Sequence, residues 1–134
     1  MRTLLSFPYL NLCLYEGSVP VLELEWLRYA NSADFRAAAL QALHFTQQYH
    51  VQGWVADDRQ LGAVRPRDLE WAAHTILVPL GQHGLKRFAQ LEPLDALNRR
   101  TVGAMYISTQ PSLQFEHRHF DDLAQARLWA SGEA

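Results

Sequence analysis

Leu10-Asn11-Leu12-Cys13-Leu14-Tyr15, then Glu16-Gly17-Ser18, then Leu22-Glu23-Leu24-Glu25-Trp26 is the stretch that decides the fold. In both outer runs every second side chain is apolar, the period of a strand with one buried face. Glu16-Gly17-Ser18 supplies turn chemistry, so the two runs read as an antiparallel hairpin. Just downstream the beat changes. After Asn31 and Ser32, both good N-caps, Phe35, Ala38, Ala39, Ala42, Phe45, Thr46 and Tyr49 gather in one broad stripe, opposite Gln41, His44, Gln47 and Gln48. A helix of this kind lays its stripe on a sheet.

Working outward, Gly53 follows that helix, and Trp54-Val55-Ala56 is a compact strand that breaks into Asp57-Asp58-Arg59-Gln60. Pro66 suits the first turn of a second helix, with Leu69, Ala72, Ala73, Ile76 and Leu80 as its stripe and Gly81 or Gly84 as its end. Pro79 is expected to kink or terminate the last turn, because it removes a donor and clashes with the turn before it. Residues 85–91 read as a fourth strand and 94–107 as a third helix, weakened by Gly103. A fifth strand over 113–120 leads to a last helix, capped by Asp121 and ending near Gly132. The order is ββαβαβαβα. It predicts an α/β fold with a mixed five-stranded sheet: an N-terminal antiparallel hairpin, then parallel strands joined by right-handed helical crossovers, with about four helices.

Composition bounds what such a fold can do. At 134 residues the chain is expected to form one domain, and 49% apolar residues build its core without a disulfide or metal staple. The single cysteine, Cys13, lies in an apolar run and reads as a packed thiol. The formal charge is −2, and the twelve Lys and Arg are scattered along the chain. Nucleic-acid binding draws on a concentrated basic face, so no nucleic-acid partner is expected. Residues 1–15 resemble a weak signal peptide, with Arg2 before Leu4, Leu5 and Phe7, but Pro8 and Asn11 interrupt it and no small-x-small site follows. No run reaches the roughly 18 apolar residues of a membrane span. A cytoplasmic location is expected.

Trp54-Val55-Ala56-Asp57-Asp58-Arg59, Val64-Arg65-Pro66, Glu70-Trp71, Pro79 and Gly84-Leu85-Lys86-Arg87-Phe88-Ala89 together resemble small, mostly uncharacterised bacterial proteins with the STAS-like (SpoIIAA-like) fold. In that group a strand ends in an Asp-containing turn, and a helix carrying Trp and then Pro leads to a Gly-Leu-Lys-Arg-x-Ala strand. Phe115-Glu116-His117-Arg118-His119-Phe120-Asp121, followed by residues 126–129, is similar to the group's closing strand and helix. The resemblance spans roughly residues 9–130 and implies the element order derived above. It implies little chemistry, because fold does not fix function. Better-known STAS domains are anti-sigma-factor antagonists, switched by phosphorylation of a Ser or Thr where a helix follows a central strand. Residues 51–74 contain neither Ser nor Thr, so no such switch is expected here.

Ligands of open α/β sheets bind beyond the C-terminal ends of the parallel strands, an edge that should carry Asp57, Asp58, Arg59, Gln60 and Glu92. Asp57 or Asp58 could be a base or metal ligand with Arg59 clamping an anion; alternatively the acids shape a turn and Arg59 forms a surface ion pair. His117 and His119 share a strand face, but zinc needs three or four ligands and no third His or Cys is near, so no metal is expected. No catalytic set converges, so neither an enzyme nor a cofactor is expected. Trp26, Trp54 and Trp71 either pack the core or line an apolar pocket for a lipid or other small ligand. Trp71, with Thr75 and Val78, lies off its helix's main stripe and could pack a second subunit. The resulting expectation is a non-enzymatic STAS-like module that binds a protein partner or itself as a homodimer, with a small apolar ligand as the alternative.

Overall fold

Six strands form one sheet in the computed structural model, which describes residues 1–133. They are β1 (Arg2–Ser6), β2 (Leu10–Glu16), β3 (Pro20–Trp26), β4 (Gly53–Asp57), β5 (Arg87–Leu91) and β6 (Glu116–His119), arranged spatially in chain order. The alternation that decides the fold is realised directly: β2 and β3 pair antiparallel, with Leu12 opposite Leu24 and Leu14 opposite Leu22. From β3 onward every pairing is parallel.

The expected count of five strands is corrected to six. β1 pairs antiparallel with β2, and a register shift between Thr3 and Leu5 leaves Leu4 and Leu5 as consecutive half-buried residues. Such an irregularity breaks the two-residue period, which is why the strand resembled the start of a signal peptide rather than a sheet edge.

The helices are α1 (Ser32–Gln48), α2 (Pro66–Ala72), α3 (Val78–Gln82), α4 (Ala96–Thr109) and α5 (Leu123–Ala130). Asn31 caps α1 through its side-chain oxygen, and Asp95 does the same for α4. Asp122, one residue beyond the expected Asp121, caps α5. Pro79 does not end its helix. The backbone stays helical through Ala72, Leu77 and Val78, so α2 runs through a π-helical turn at Ala73–Leu77 into α3, and the wider turn accommodates the N–H that Pro79 lacks.

Strand order explains the layering. Because β3, β4, β5 and β6 advance in one direction, crossovers of one hand put all the connecting helices on the same face. Trp54, Phe88, Leu22 and Leu24 pack there against Phe35, Ala38, Ala42, Ile76, Leu80, Val102 and Tyr106. Phe88, 1% exposed, anchors this layer with Phe115 at 5.3 Å, Trp54 at 5.5 Å and Tyr106 at 5.8 Å between ring centroids. Burying such a ring contributes about 1.5–3 kcal/mol. α5 alone covers the other face, over Val21, Val55, Ala89 and Leu91. Gly53 permits its approach, since a Cβ there would run into the Ala130 carbonyl. Among the described residues no helix is long and apolar enough to cross a membrane.

Candidate functional site

Side chains alternate across a strand, so the acids that end β4 part company. Asp57 follows Val55 onto the α5 face, while Asp58 continues the line of Trp54 and Ala56 into the helix-covered layer. Both are 4% exposed.

Asp57 is held by Arg59, whose Nε donates to Oδ1 at 2.9 Å and Nη2 to Oδ2 at 2.8 Å. This fork uses the guanidinium edge that an anion would need. Arg59 also borders a shallow cleft with Glu92, Pro93, Arg99 and Asp121. Glu92 lies 3.8 Å from the His119 ring nitrogen Nδ1. The anticipated edge cluster therefore exists in part: Arg59 and Glu92 share a cleft, Asp57 is consumed by Arg59, and Asp58 lies on the opposite face.

Asp58 opens onto a cavity of about 80 Å³ between the sheet and the helices. Its walls are apolar and rich in rings: Trp26, Phe35, Trp54, Phe88 and Tyr106, with Leu24, Ala39, Ala56, Ile76 and Val102 between them. Trp26 stacks on Phe35 at 5.4 Å, and the Trp54 indole N–H donates to the Thr46 hydroxyl at 2.8 Å. Half-buried Leu61, Val64 and Met105 mark its outer side. Trp71 is not among the lining residues, which corrects the expected three-tryptophan wall. It sits half-buried outside, with the Arg36 guanidinium 5.0 Å above its ring. The helical turn carrying it aims the main stripe, Leu69, Ala72 and Ile76, at the cavity instead.

The polar side of the cavity continues into the sheet. The Gln90 side-chain amide donates to Asp58 Oδ2 at 2.8 Å, and its carbonyl oxygen lies 2.9 Å from His117 Nε2. His117 stacks on Tyr106 at 4.4 Å and meets the His119 ring edge-on at 4.9 Å. Burial pushes the Asp58 carboxyl up to about 7, with the charge of Asp57 adding to the effect and the Gln90 hydrogen bond opposing it. Burial, then the neighbouring His119, pushes His117 down to about 4. Burial, reinforced by Asp58, pushes the Tyr106 hydroxyl well above its usual range. Among the described residues no group of three or more His, Cys, Asp or Glu is placed to hold a metal ion.

Sequence reasoning named Trp26, Trp54 and Asp58 but missed Tyr106, Gln90 and His117 as parts of the same site. Parity along β4 could have put Asp58 beside Trp54. The Gln90–His117 contact depends on the β5–β6 register, which pairs Phe88 with His117 and Gln90 with His119.

The arrangement is that of a SpoIIAA-like fold. The chain is similar to the crystal structure of an uncharacterized protein of the DUF3478 family with a SpoIIAA-like fold from Shewanella loihica PV-4: TM-score 0.63, 13% identity, 95% of this chain and 98% of that one covered. At that identity the likeness concerns the fold alone. No protein-family profile matches the sequence, and no curated protein matches it.

Proposed function

We propose that the protein is a non-enzymatic STAS-like binding module whose ligand is a small apolar molecule held in the cavity between Trp26, Trp54 and Asp58. One observation carries the reading: an apolar, ring-lined space of about 80 Å³ bordered by a buried carboxyl. An apolar cavity of roughly 150 Å³ holds benzene. The space here therefore suits a shorter ligand, or one whose tail leaves past Leu61, Val64 and Met105. The cavity favours this ligand reading over docking of a protein partner, which rests on the family resemblance. The separation of Asp57 from Asp58 and the engagement of Arg59 favour a binding role over hydrolytic or anion chemistry at the β4 edge. The Asp57-Asp58-Arg59-Gln60 turn, free of Ser and Thr, supports regulation by ligand occupancy rather than by phosphorylation.

Thermal melting with a neutral probe tests the reading. At ten times its Kd, 1-butanol should stabilise the fold by about 1.4 kcal/mol, which raises the Tm by about 4 °C for a domain of this size. Native mass spectrometry of protein purified without detergent should show a ligand-shifted species that organic extraction removes. A clean unliganded mass, with no rise in Tm for any small apolar probe, would overturn the assignment.

A further inference from the structure

The polar atoms of the cavity define the chemistry of its ligand, an inference that rests on the cavity being a binding site. Asp58 Oδ2 accepts from Gln90, but Oδ1 has no hydrogen-bond partner among the described residues. The Tyr106 hydroxyl, on a residue 8% exposed, has none either. Both residues are buried, yet neither oxygen is sealed off as the Tyr15 hydroxyl is, so both stay open to a ligand in the apolar space they border. Each can accept a hydrogen bond. Asp58 and Tyr106 are also the only ionisable groups of the lining, with no Lys, Arg or His among it. A carboxylate or phosphate ligand would bring a second negative charge to an apolar site that offers no cation. A cation would meet a carboxylate and the faces of Trp26, Trp54 and Phe88, which attract positive charge through the ring quadrupole.

We propose that the cavity binds a small lipophilic primary amine as its ammonium ion, with Asp58 as counter-ion and the Tyr106 hydroxyl as second acceptor. The ammonium supplies the missing partner of Asp58 Oδ1, and the alkyl group fills the space against the rings. A positive charge beside Oδ1 favours the ionised carboxyl, which burial alone disfavours, so the ammonium and the Asp58 carboxylate stabilise each other as a pair.

Three probes of matched size, n-butylamine, 1-butanol and butanoate, test this by titration followed through methyl chemical shifts. The Met105, Ile76 and Val102 methyls report on the cavity, and those of Val55 and Leu91 on the opposite face serve as the control. The amine should bind about ten-fold more tightly than the alcohol, as a charge-assisted hydrogen bond exceeds a neutral one, and butanoate should not bind. Asp58→Asn should bring the amine down to the level of the alcohol. Tyr106→Phe, which keeps the ring, should weaken the amine several-fold and serves if the first variant fails to fold. Alcohol binding equal to the amine, or an amine preference that survives both variants, overturns the inference and leaves the cavity reading standing. Cavity methyls that respond to none of the three probes overturn both.

Discussion

Replacing Asp58 by asparagine keeps the shape of the cavity carboxyl and its acceptor for Gln90, but removes its titration. The folded protein holds this proton up to about pH 7, whereas the unfolded chain releases it near 3.8. Between those values the folded state binds the extra proton, so stability falls as pH rises through the window and the full penalty is present above pH 7. At about 1.4 kcal/mol per pH unit, the penalty is on the order of 4 kcal/mol. His117 acts in the opposite sense: its folded form resists protonation down to about pH 4, so it removes stability as pH falls below 6.5. Wild type alone therefore shows a shallow profile in acid. Because the variant keeps His117, subtracting the two profiles isolates Asp58. Urea unfolding at pH 4, 5, 6, 7 and 8 measures it. The variant should gain on wild type with each step, by a total on the order of 4 kcal/mol. A wild-type-to-variant difference that stays constant within about 0.5 kcal/mol from pH 4 to 8 would refute the placement of Asp58 in an apolar cavity.

Further perturbations probe the surrounding framework. Ala56→Leu, between Trp54 and Asp58 on the cavity wall, should fill the space and abolish the 1-butanol Tm shift while changing stability by less than about 3 kcal/mol. Gly53→Ala should cost about 1–3 kcal/mol in chemical denaturation, because its Cβ meets the Ala130 backbone rather than a movable side chain. Arg127 grips buried Glu23 with two hydrogen bonds of 2.8 Å, so Arg127→Gln should cost about 3 kcal/mol. Adding Glu23→Gln should recover most of that loss, since no charge is then stranded; a double variant as unstable as the single one would contradict this account.

What the sequence made legible follows the regularity of its periods. The β2–β3 hairpin and α1 carry unbroken two-residue and 3.6-residue beats, and both elements lie where those beats put them. β1 was illegible because its register slips beside β2, so adjacent leucines sit half-buried with no alternation to read. Pro79 misled because a π-helical turn, invisible to a 3.6-residue count, lets the helix run on past it. Within the candidate site, the tryptophans announced themselves by size, and two of the three line the cavity. Asp57 and Asp58 look equivalent as neighbouring letters, yet the strand turns one toward Arg59 and the other toward the rings. Gln90 and His117 are 27 positions apart, and only the pairing of β5 with β6 brings them together.

A crystal of the protein soaked in 1-butanol examines the central claim most directly. Density for the alcohol should lie between Trp26 and Trp54, with its oxygen within hydrogen-bonding distance of Asp58 or Tyr106. Side chains closed over that space, with the alcohol bound only at the surface, would contradict it.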